Sequence, residues 1–448
     1  MSTLFGTDGV RGIPGQAPLT PAGVRRLAQL AAEAFLGRTP REAPCVLLGR
    51  DTRGSGPALA RSLADGFKAA GVRTVDLGVV PTPAVSYLTP RRGALCGVVV
   101  SASHNPPEFN GIKFFGPDGR KSSPDVEGEV ERRFAAAADP GARGARADRD
   151  PSGAGEYLDF LRSTVPPHET LEGLRVVFDG SNGAAAAFGA PLLRALGATV
   201  FELGVRPDGR NINVGCGALE TEPMRREVVR RKAHCGVAVD GDADRCVLSD
   251  ERGRLLDGDA LIALSALHLK EEGLLHGDKV VLTVMSNLGL VEFLRREGIG
   301  SVQVPVGDKH VTEALERGDL MLGGENSGHV VFRRFAPTGD GLLTALQTLA
   351  AWRARGGPLS RVRSLYKVFP QQLTNVRVSR RVPLEDLPGF QSELARAERL
   401  LRDSGRVFVR YSGTEPLLRI LVEAEDGGLT KALSGKLAEA FKREAEGT

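Results

Sequence analysis

The apolar positions of this chain fall into two alternating patterns. Short β-branched runs predict strands, and longer stretches with apolar residues three or four apart predict helices. Thr20-Pro21 reads as a helix start, and Val24, Leu27, Ala28, Ala31 and Phe35 then mark one face. Val46-Leu47-Leu48 reads as a strand ending at Gly49-Arg50-Asp51. Leu59, Leu63 and Phe67 predict a second helix, and Thr74–Leu77 and Gly97–Val100 two further strands. Strands alternating with helices predict a mostly parallel sheet. Residues 137–155 carry almost nothing to bury and read as a linker or surface excursion.

The layout then restarts twice, with no literal sequence repeat. Strand Val176–Phe178, turn Asp179–Gly183, helix Ala184–Leu196 and strand Val237–Val239 form one section. Strand Val280–Val284, helix Gly289–Arg296, strand Ser301–Val304 and helix Gly341–Arg353 form the next. The last section differs. Strands Thr374–Val378, Arg406–Tyr411 and Leu418–Ala424 bracket helix Leu387–Arg402, and a terminal helix starts at Leu429, an α+β pattern. The expected fold class is α/β: three consecutive α/β domains with mixed, mostly parallel sheets (1–150, 151–253, 254–366), and a C-terminal α+β domain (367–448).

Composition narrows the function. A chain of 448 residues is long enough for several domains. Its net charge of +4 comes from scattered Lys and Arg, which speaks against nucleic acid and suits small anionic substrates. No apolar run approaches the roughly 20 residues of a membrane span, and Met1–Gly6 shows no secretory signal pattern. The five cysteines are widely spaced and read as reduced core residues of a cytoplasmic protein.

Four polar loops carry candidate chemistry, each with a plainer alternative. Val98-Val-Val-Ser-Ala-Ser103-His104-Asn-Pro, followed by Asn110-Gly-Ile-Lys113, places a serine at the mouth of a strand, as nucleophile, phosphate carrier or mere turn cap. Asp240-Gly-Asp242-Ala-Asp244-Arg245 sets three carboxylates at alternating positions after an apolar run. They repel unless a cation neutralises them, and oxygen ligands select a hard one, Mg²⁺ before Zn²⁺. An acidic surface turn is the alternative. Gly323-Gly-Glu325-Asn326-Ser327-Gly-His329 could read sugar hydroxyls, or be a polar hairpin turn. Arg410-Tyr-Ser412-Gly413-Thr414-Glu-Pro with Arg419 beyond has the parts of a phosphate cradle, or of an ordinary turn, and lacks a Walker lysine. One loop falls in each predicted domain, which suggests a central cleft.

In this order the four loops resemble the α-D-phosphohexomutase superfamily, within it the bacterial branch acting on glucosamine phosphates. Phe5-Gly-Thr-Asp-Gly-Val-Arg11-Gly12, Thr283–Leu290 and Thr338–Thr344 resemble it too. The resemblance implies an isomerase that interconverts a sugar 6-phosphate and 1-phosphate through a phosphoserine enzyme and a 1,6-bisphosphate. It implies phosphoserine at Ser103 and one Mg²⁺ per chain, held by Asp240, Asp242, Asp244 and the Ser103 phosphate. Glu325, Asn326 and Ser327 would contact the sugar. Arg410, Ser412, Gly413, Thr414 and Arg419 would hold its non-reacting phosphate. Arg11, His104, Lys113 and Arg245 would line the transfer site, with Lys113 or a neighbour moving the proton. Such a cycle favours a mobile last domain, and relatives are often homodimers. Ala218-Leu-Glu-Thr221, Gly307-Asp308-Lys309-His310 and Tyr411 depart from the family's usual residues near these contacts. A glucose or mannose phosphate mutase and a metal-dependent sugar-phosphate phosphatase are the alternatives.

Overall fold

The computed structural model describes residues 4–6, 8–166, 170–412 and 416–445. By contact the chain divides into two compact units. One comprises 1–286 with 297–365, the other 287–296 with 366–448.

The first unit contains three mixed sheets. In the first, the parallel strands Cys96–Val100, Cys45–Arg50, Arg73–Val79 and Asp148–Arg149 are extended on one side by Asn110–Phe115 and then Val10–Gly12, with Asn110–Phe115 antiparallel to both its neighbours. The second runs Leu255–Leu256, Cys246–Asp250, Cys235–Val239, Arg175–Asp179, Thr199–Leu203, with Cys246–Asp250 antiparallel to both its neighbours and the last three strands parallel. The third runs Gly300–Val304, Lys279–Thr283, Leu322–Gly324, Val330–Phe332, the last antiparallel. Helices cover the sheets, and strands buried along their whole length read as continuous apolar runs, as Cys96–Val100 and Cys235–Val239 do. The helix Pro21–Arg38 starts where expected, with Gly23 N–H donating to Thr20 Oγ1 (3.1 Å) and Pro21 in its first turn.

One arrangement recurs in all three sheets. Each candidate loop of this unit connects a strand that has a parallel neighbour to an antiparallel partner. Ser103 lies between Cys96–Val100 and Asn110–Phe115, the aspartates between Cys235–Val239 and Cys246–Asp250, and Glu325 between Leu322–Gly324 and Val330–Phe332. The strands before the first two loops are Cys-Gly-Val-Val-Val and Cys-Gly-Val-Ala-Val, a short sequence repeat after all.

Several expectations are corrected. Asn110–Lys113 is no loop but part of a fully buried strand, its apolar character masked by Asn and Lys. The stretch 137–155 holds an edge strand at Asp148–Arg149, and a helix starts at Ser152. Ala184–Leu196 is a short 3-10 turn followed by the helix Gly189–Ala195. The helices Thr82–Arg91, Glu222–Arg231, Gly258–Glu271 and Asp308–Arg317 were not among the expected elements, although Glu222–Arg231 and Asp308–Arg317 bury apolar pairs four residues apart, Met224 with Val228 and Val311 with Leu315.

The second unit is an antiparallel sheet of Gln371–Arg377, Leu417–Ala424 and Gly405–Tyr411. The helices Pro388–Leu401 and Gly427–Ala445 pack with this sheet around Phe390, Leu437 and Phe441. The helix Leu288–Arg296 belongs to this unit, with Leu288 N–H donating to the buried Glu423 Oε1 (2.8 Å).

Candidate active site

The three loops of the first unit meet. Ser103 is buried and has a left-handed backbone, φ 51°. Its Oγ donates to Asp240 Oδ2 at 2.7 Å and lies 3.2 Å from His104 Nδ1. Burial first, then Arg245 and Arg11, push His104 down to about 4, so the imidazole is neutral at pH 7.

Asp240, Asp242 and Asp244 are all buried, and one oxygen from each lies within 4.8 Å of the others. The turn is tight. Ala243 N–H donates to Asp240 C=O (3.0 Å), and Ala243 takes φ 60°. Burial and the neighbouring charges of Asp244 and Asp242 raise Asp240 well above the carboxylate range. Burial works against Asp244 too, but Lys113, His329 and Arg245 hold it well below that range. Asp242 Oδ1 and Asp244 Oδ1 are buried without a hydrogen-bond partner among the described residues. Three convergent carboxylates, two of which carry such an oxygen, fit a hard divalent cation.

Lys113 Nζ reaches Asp242 (2.8 Å), Asp8 (2.8 Å) and Asp244 (3.6 Å). Burial opposes its charge, but those three carboxylates raise it well above the lysine range. In this geometry the Lys113 ammonium neutralises carboxylate charge. Arg11 donates to Asn105 Oδ1 (3.0 Å) and Asp8 Oδ2 (2.6 Å). Arg245 N–H donates to Asp240 Oδ1 (3.2 Å), and its Nε lies 3.8 Å from Asp244.

The third loop joins the second through Cys246 N–H to Gly328 C=O (3.0 Å). Glu325 is buried and accepts from Gly307 N–H (3.0 Å). Asn326 C=O accepts from Gly258 N–H (3.0 Å), and Ser327 Oγ is buried without a partner.

Sequence reasoning passed over four residues here. His329 is buried with Nδ1 3.8 Å from Asp244 and Nε2 4.0 Å from Asp308. Burial lowers it, but Asp244 and Asp308 raise it above the ordinary histidine value. It closes the quoted glycine-flanked loop, and that position was its only signal. Asp8 sits in the opening segment and pairs with Arg11, Lys113 and Lys121. Thr82 donates from Oγ1 to Asp242 Oδ2 (2.7 Å) and from N–H to Asp242 C=O (2.9 Å), with no sequence signal beyond a helix start. Arg53, in Gly49-Arg-Asp-Thr-Arg-Gly54, reaches the Ser103 loop from behind.

In the second unit, Arg410 and Arg419 stand directly opposite each other on paired strands. Burial and Arg419 lower Arg410. Like charges in this position destabilise a sheet, and a bound anion would relieve them. Ser412 N–H donates to Leu417 C=O (2.8 Å), and Arg381 donates to Ser412 C=O. Tyr411 turns into the unit, its hydroxyl donating to Val382 C=O (2.6 Å) and its ring packing against Phe441. Gly413 and Thr414 lie outside the described residues.

The chain matches four family models. They describe α/β/α domains I (2–140), II (155–253) and III (257–369) and the C-terminal domain (373–440) of phosphoglucomutase/phosphomannomutase. It is 44% identical over 98% of both chains to the phosphoglucosamine mutase of Cereibacter sphaeroides. It is 45% identical to that of Rhodospirillum rubrum, over 97% of both. The fold matches a phosphoglucomutase/phosphomannomutase family protein of Burkholderia thailandensis with a TM-score of 0.83 at 23% identity, covering 100% and 99% of the chains. It also matches Aspergillus fumigatus N-acetylphosphoglucosamine mutase solved with GlcNAc-6P and magnesium, TM-score 0.69 at 18% identity over 98% and 96%. With near-complete coverage and a buried tri-aspartate loop facing a serine at the end of a strand, the chain belongs to the phosphoglucomutase/phosphomannomutase family and groups within it with the phosphoglucosamine mutases.

Proposed function

We infer that this chain is an isomerase that interconverts glucosamine 6-phosphate and glucosamine 1-phosphate, with Ser103 as phosphate carrier. The observation that carries the reading is the 2.7 Å contact between Ser103 Oγ and Asp240 at the meeting of three loops. Phosphoryl transfer needs positioning and charge neutralisation above all.

In the first half of the cycle the O1 hydroxyl of glucosamine 6-phosphate attacks phospho-Ser103. The O1–P bond forms, the Ser103 Oγ–P bond breaks, and the O1 proton leaves to a base. His329 and Lys113, both buried beside Asp244, are the candidates for that base. The 1,6-bisphosphate turns around. Ser103 Oγ then attacks the 6-phosphate, the Oγ–P bond forms as the O6–P bond breaks, O6 takes the proton that the base removed from O1, and glucosamine 1-phosphate is released. Arg245, Arg11 and Lys113 supply positive charge around the transferring group. Glu325 and Ser327 would orient the sugar, and Arg410, Ser412 and Arg419 would hold the phosphate that does not react. Asp240, Asp242 and Asp244 would hold Mg²⁺, which when bound supplies charge neutralisation to the phosphoryl group.

A coupled assay for glucosamine 1-phosphate, with intact-mass measurement of Ser103 phosphorylation, tests the reading. Ser103→Ala is expected to lose turnover and the phosphorylated species. Near-normal turnover by that variant removes Ser103 as carrier. Faster turnover of glucose or mannose phosphates by kcat/KM reassigns the sugar, and net phosphate release without isomer formation favours a phosphatase.

A further inference from the structure

Arg53 is a fully buried arginine that the cycle above does not use. All five of its N–H donors are engaged. Nε pairs with Asp51 Oδ2 at 2.9 Å. Nη1 donates to Pro106 C=O and Phe109 C=O, and Nη2 to Ser103 C=O (3.0 Å) and Asn105 C=O (2.8 Å). Four carbonyls of the serine loop thus converge on one guanidinium. Asp51 extends the hold, because its Oδ2 accepts from Ser101 Oγ (2.6 Å), which in turn accepts from Ser103 N–H (2.9 Å). Ser103 is therefore fixed at both its N–H and its C=O.

A second grip comes from the loop between Thr199–Leu203 and Glu222–Arg231. Asn213 Nδ2 donates to Ser103 C=O (2.9 Å) and to Asn105 C=O (3.1 Å), the two carbonyls that Arg53 Nη2 also holds. Asn213 itself has φ 61°, and its N–H donates to Ser181 C=O (2.8 Å). The aspartate loop closes on the same oxygen. A Cβ on Gly241 would stand 2.5 Å from Ser103 C=O and 2.9 Å from Asn213 Nδ2. Three non-glycine residues at this junction, Ser103, Asn213 and Ala243, have left-handed backbones. A serine in that conformation persists only where its surroundings over-determine it. Neither Arg53 nor Asn213 has a donor of these sets left for a substrate. Their action runs through the loop.

We propose that Arg53 and Asn213 are positioning residues that clamp the Ser103 carbonyl, hold the serine in its left-handed conformation and so aim Oγ at the aspartate loop. This rests on the carrier role inferred for Ser103. A shift of Oγ by even about 1 Å costs roughly 10²-fold in a transfer that depends on alignment.

The test uses the full chain with Ser103 unphosphorylated, in wild-type form and as Arg53→Lys, Asn213→Ala and Asn213→Asp. A sugar 1,6-bisphosphate is added with magnesium, phosphate on Ser103 is followed by intact mass, and kcat and KM are measured after loading. Asn213→Asp keeps the shape but removes both donors. Loading rate and kcat are expected to fall together, by roughly 10- to 100-fold, while KM for glucosamine 6-phosphate stays within about two-fold. A purely structural role would lower the melting temperature and leave loading and turnover per folded molecule at wild-type values, and that result overturns the proposal. If Arg53→Lys fails to fold, the two Asn213 variants decide alone. If the wild type itself neither loads nor isomerises, the carrier reading fails and the clamp falls with it. If the wild type does both and the variants match it, only the clamp fails.

Discussion

Ser327 has a buried hydroxyl with no partner among the described residues, near Glu325, whose carboxylate accepts from the Gly307 N–H. A buried hydroxyl left unpaired is costly unless a ligand satisfies it. Ser327→Ala removes no internal hydrogen bond, so the melting temperature is expected to stay within about 1 °C. One lost neutral hydrogen bond to a sugar hydroxyl is worth about 1 kcal/mol, so kcat/KM should fall roughly five-fold. Steady-state kinetics and thermal unfolding of the same preparation check both halves, and a stability loss without a kinetic one would move Ser327 out of the site. At this scale the sequence was legible wherever chemistry came in clusters. Three alternating aspartates announce themselves. His329 did not, because a single histidine at the end of a glycine-flanked loop acquires its meaning only from Asp244 and Asp308, which are remote in the chain. Arg53 was hidden in the same way, four of its five bonds being made to backbone carbonyls that a sequence does not display.

The helix Gly341–Arg355 shows how one element ties distant segments together. Asp340 caps it, Oδ1 accepting from the N–H groups of Leu342 and Leu343 (both 3.0 Å), while Oδ2 accepts from the buried Tyr157 hydroxyl at 2.7 Å. Burial pushes Asp340 up to about 6, against the helix N–H groups and Tyr157, with Asp244 adding to the rise. The folded state therefore holds a proton that the unfolded chain releases near pH 3.8. Stability from this group is present below that value and lost as pH rises through about 6, up to ~3 kcal/mol in all. Asp340→Asn keeps an oxygen for the cap and a polar group for Tyr157 but never ionises. Relative to wild type it should gain melting temperature between pH 4 and pH 7. Parallel pH curves for the two proteins would show that Asp340 does not titrate in this window. Elements with strong period or β-branching, such as Cys235–Val239, were readable in advance. Asn110–Phe115 was not, because its antiparallel pairing to Cys96–Val100 buries an Asn and a Lys that look like loop residues.

The molecule as a whole contains two units, and the metal loop lies in one of them. Asp240, Asp242 and Asp244 repel one another, and Lys113 with Arg245 offsets that repulsion only in part, since Asp240 is still driven toward its neutral form. A divalent cation that binds the folded loop and not the unfolded chain stabilises by mass action, about 2.7 kcal/mol when present at 100 times its dissociation constant. A chain built of separate units need not unfold in one step. Calorimetry in chelator and in excess magnesium should therefore show one transition moving upward and a second unchanged. The moving transition belongs to the unit with three sheets, the static one to the unit around Phe390 and Phe441. Asp242→Asn removes one ligand charge and should shrink the magnesium shift without erasing either transition. If magnesium moved neither transition, the three carboxylates would have to be balanced by Lys113, Arg245 and His329 alone, and Ser103 would face a charge cluster instead of a metal centre. Calcium in place of magnesium adds a size criterion. A loop only six residues long between buried strands suits the smaller ion, so the larger shift should come from magnesium.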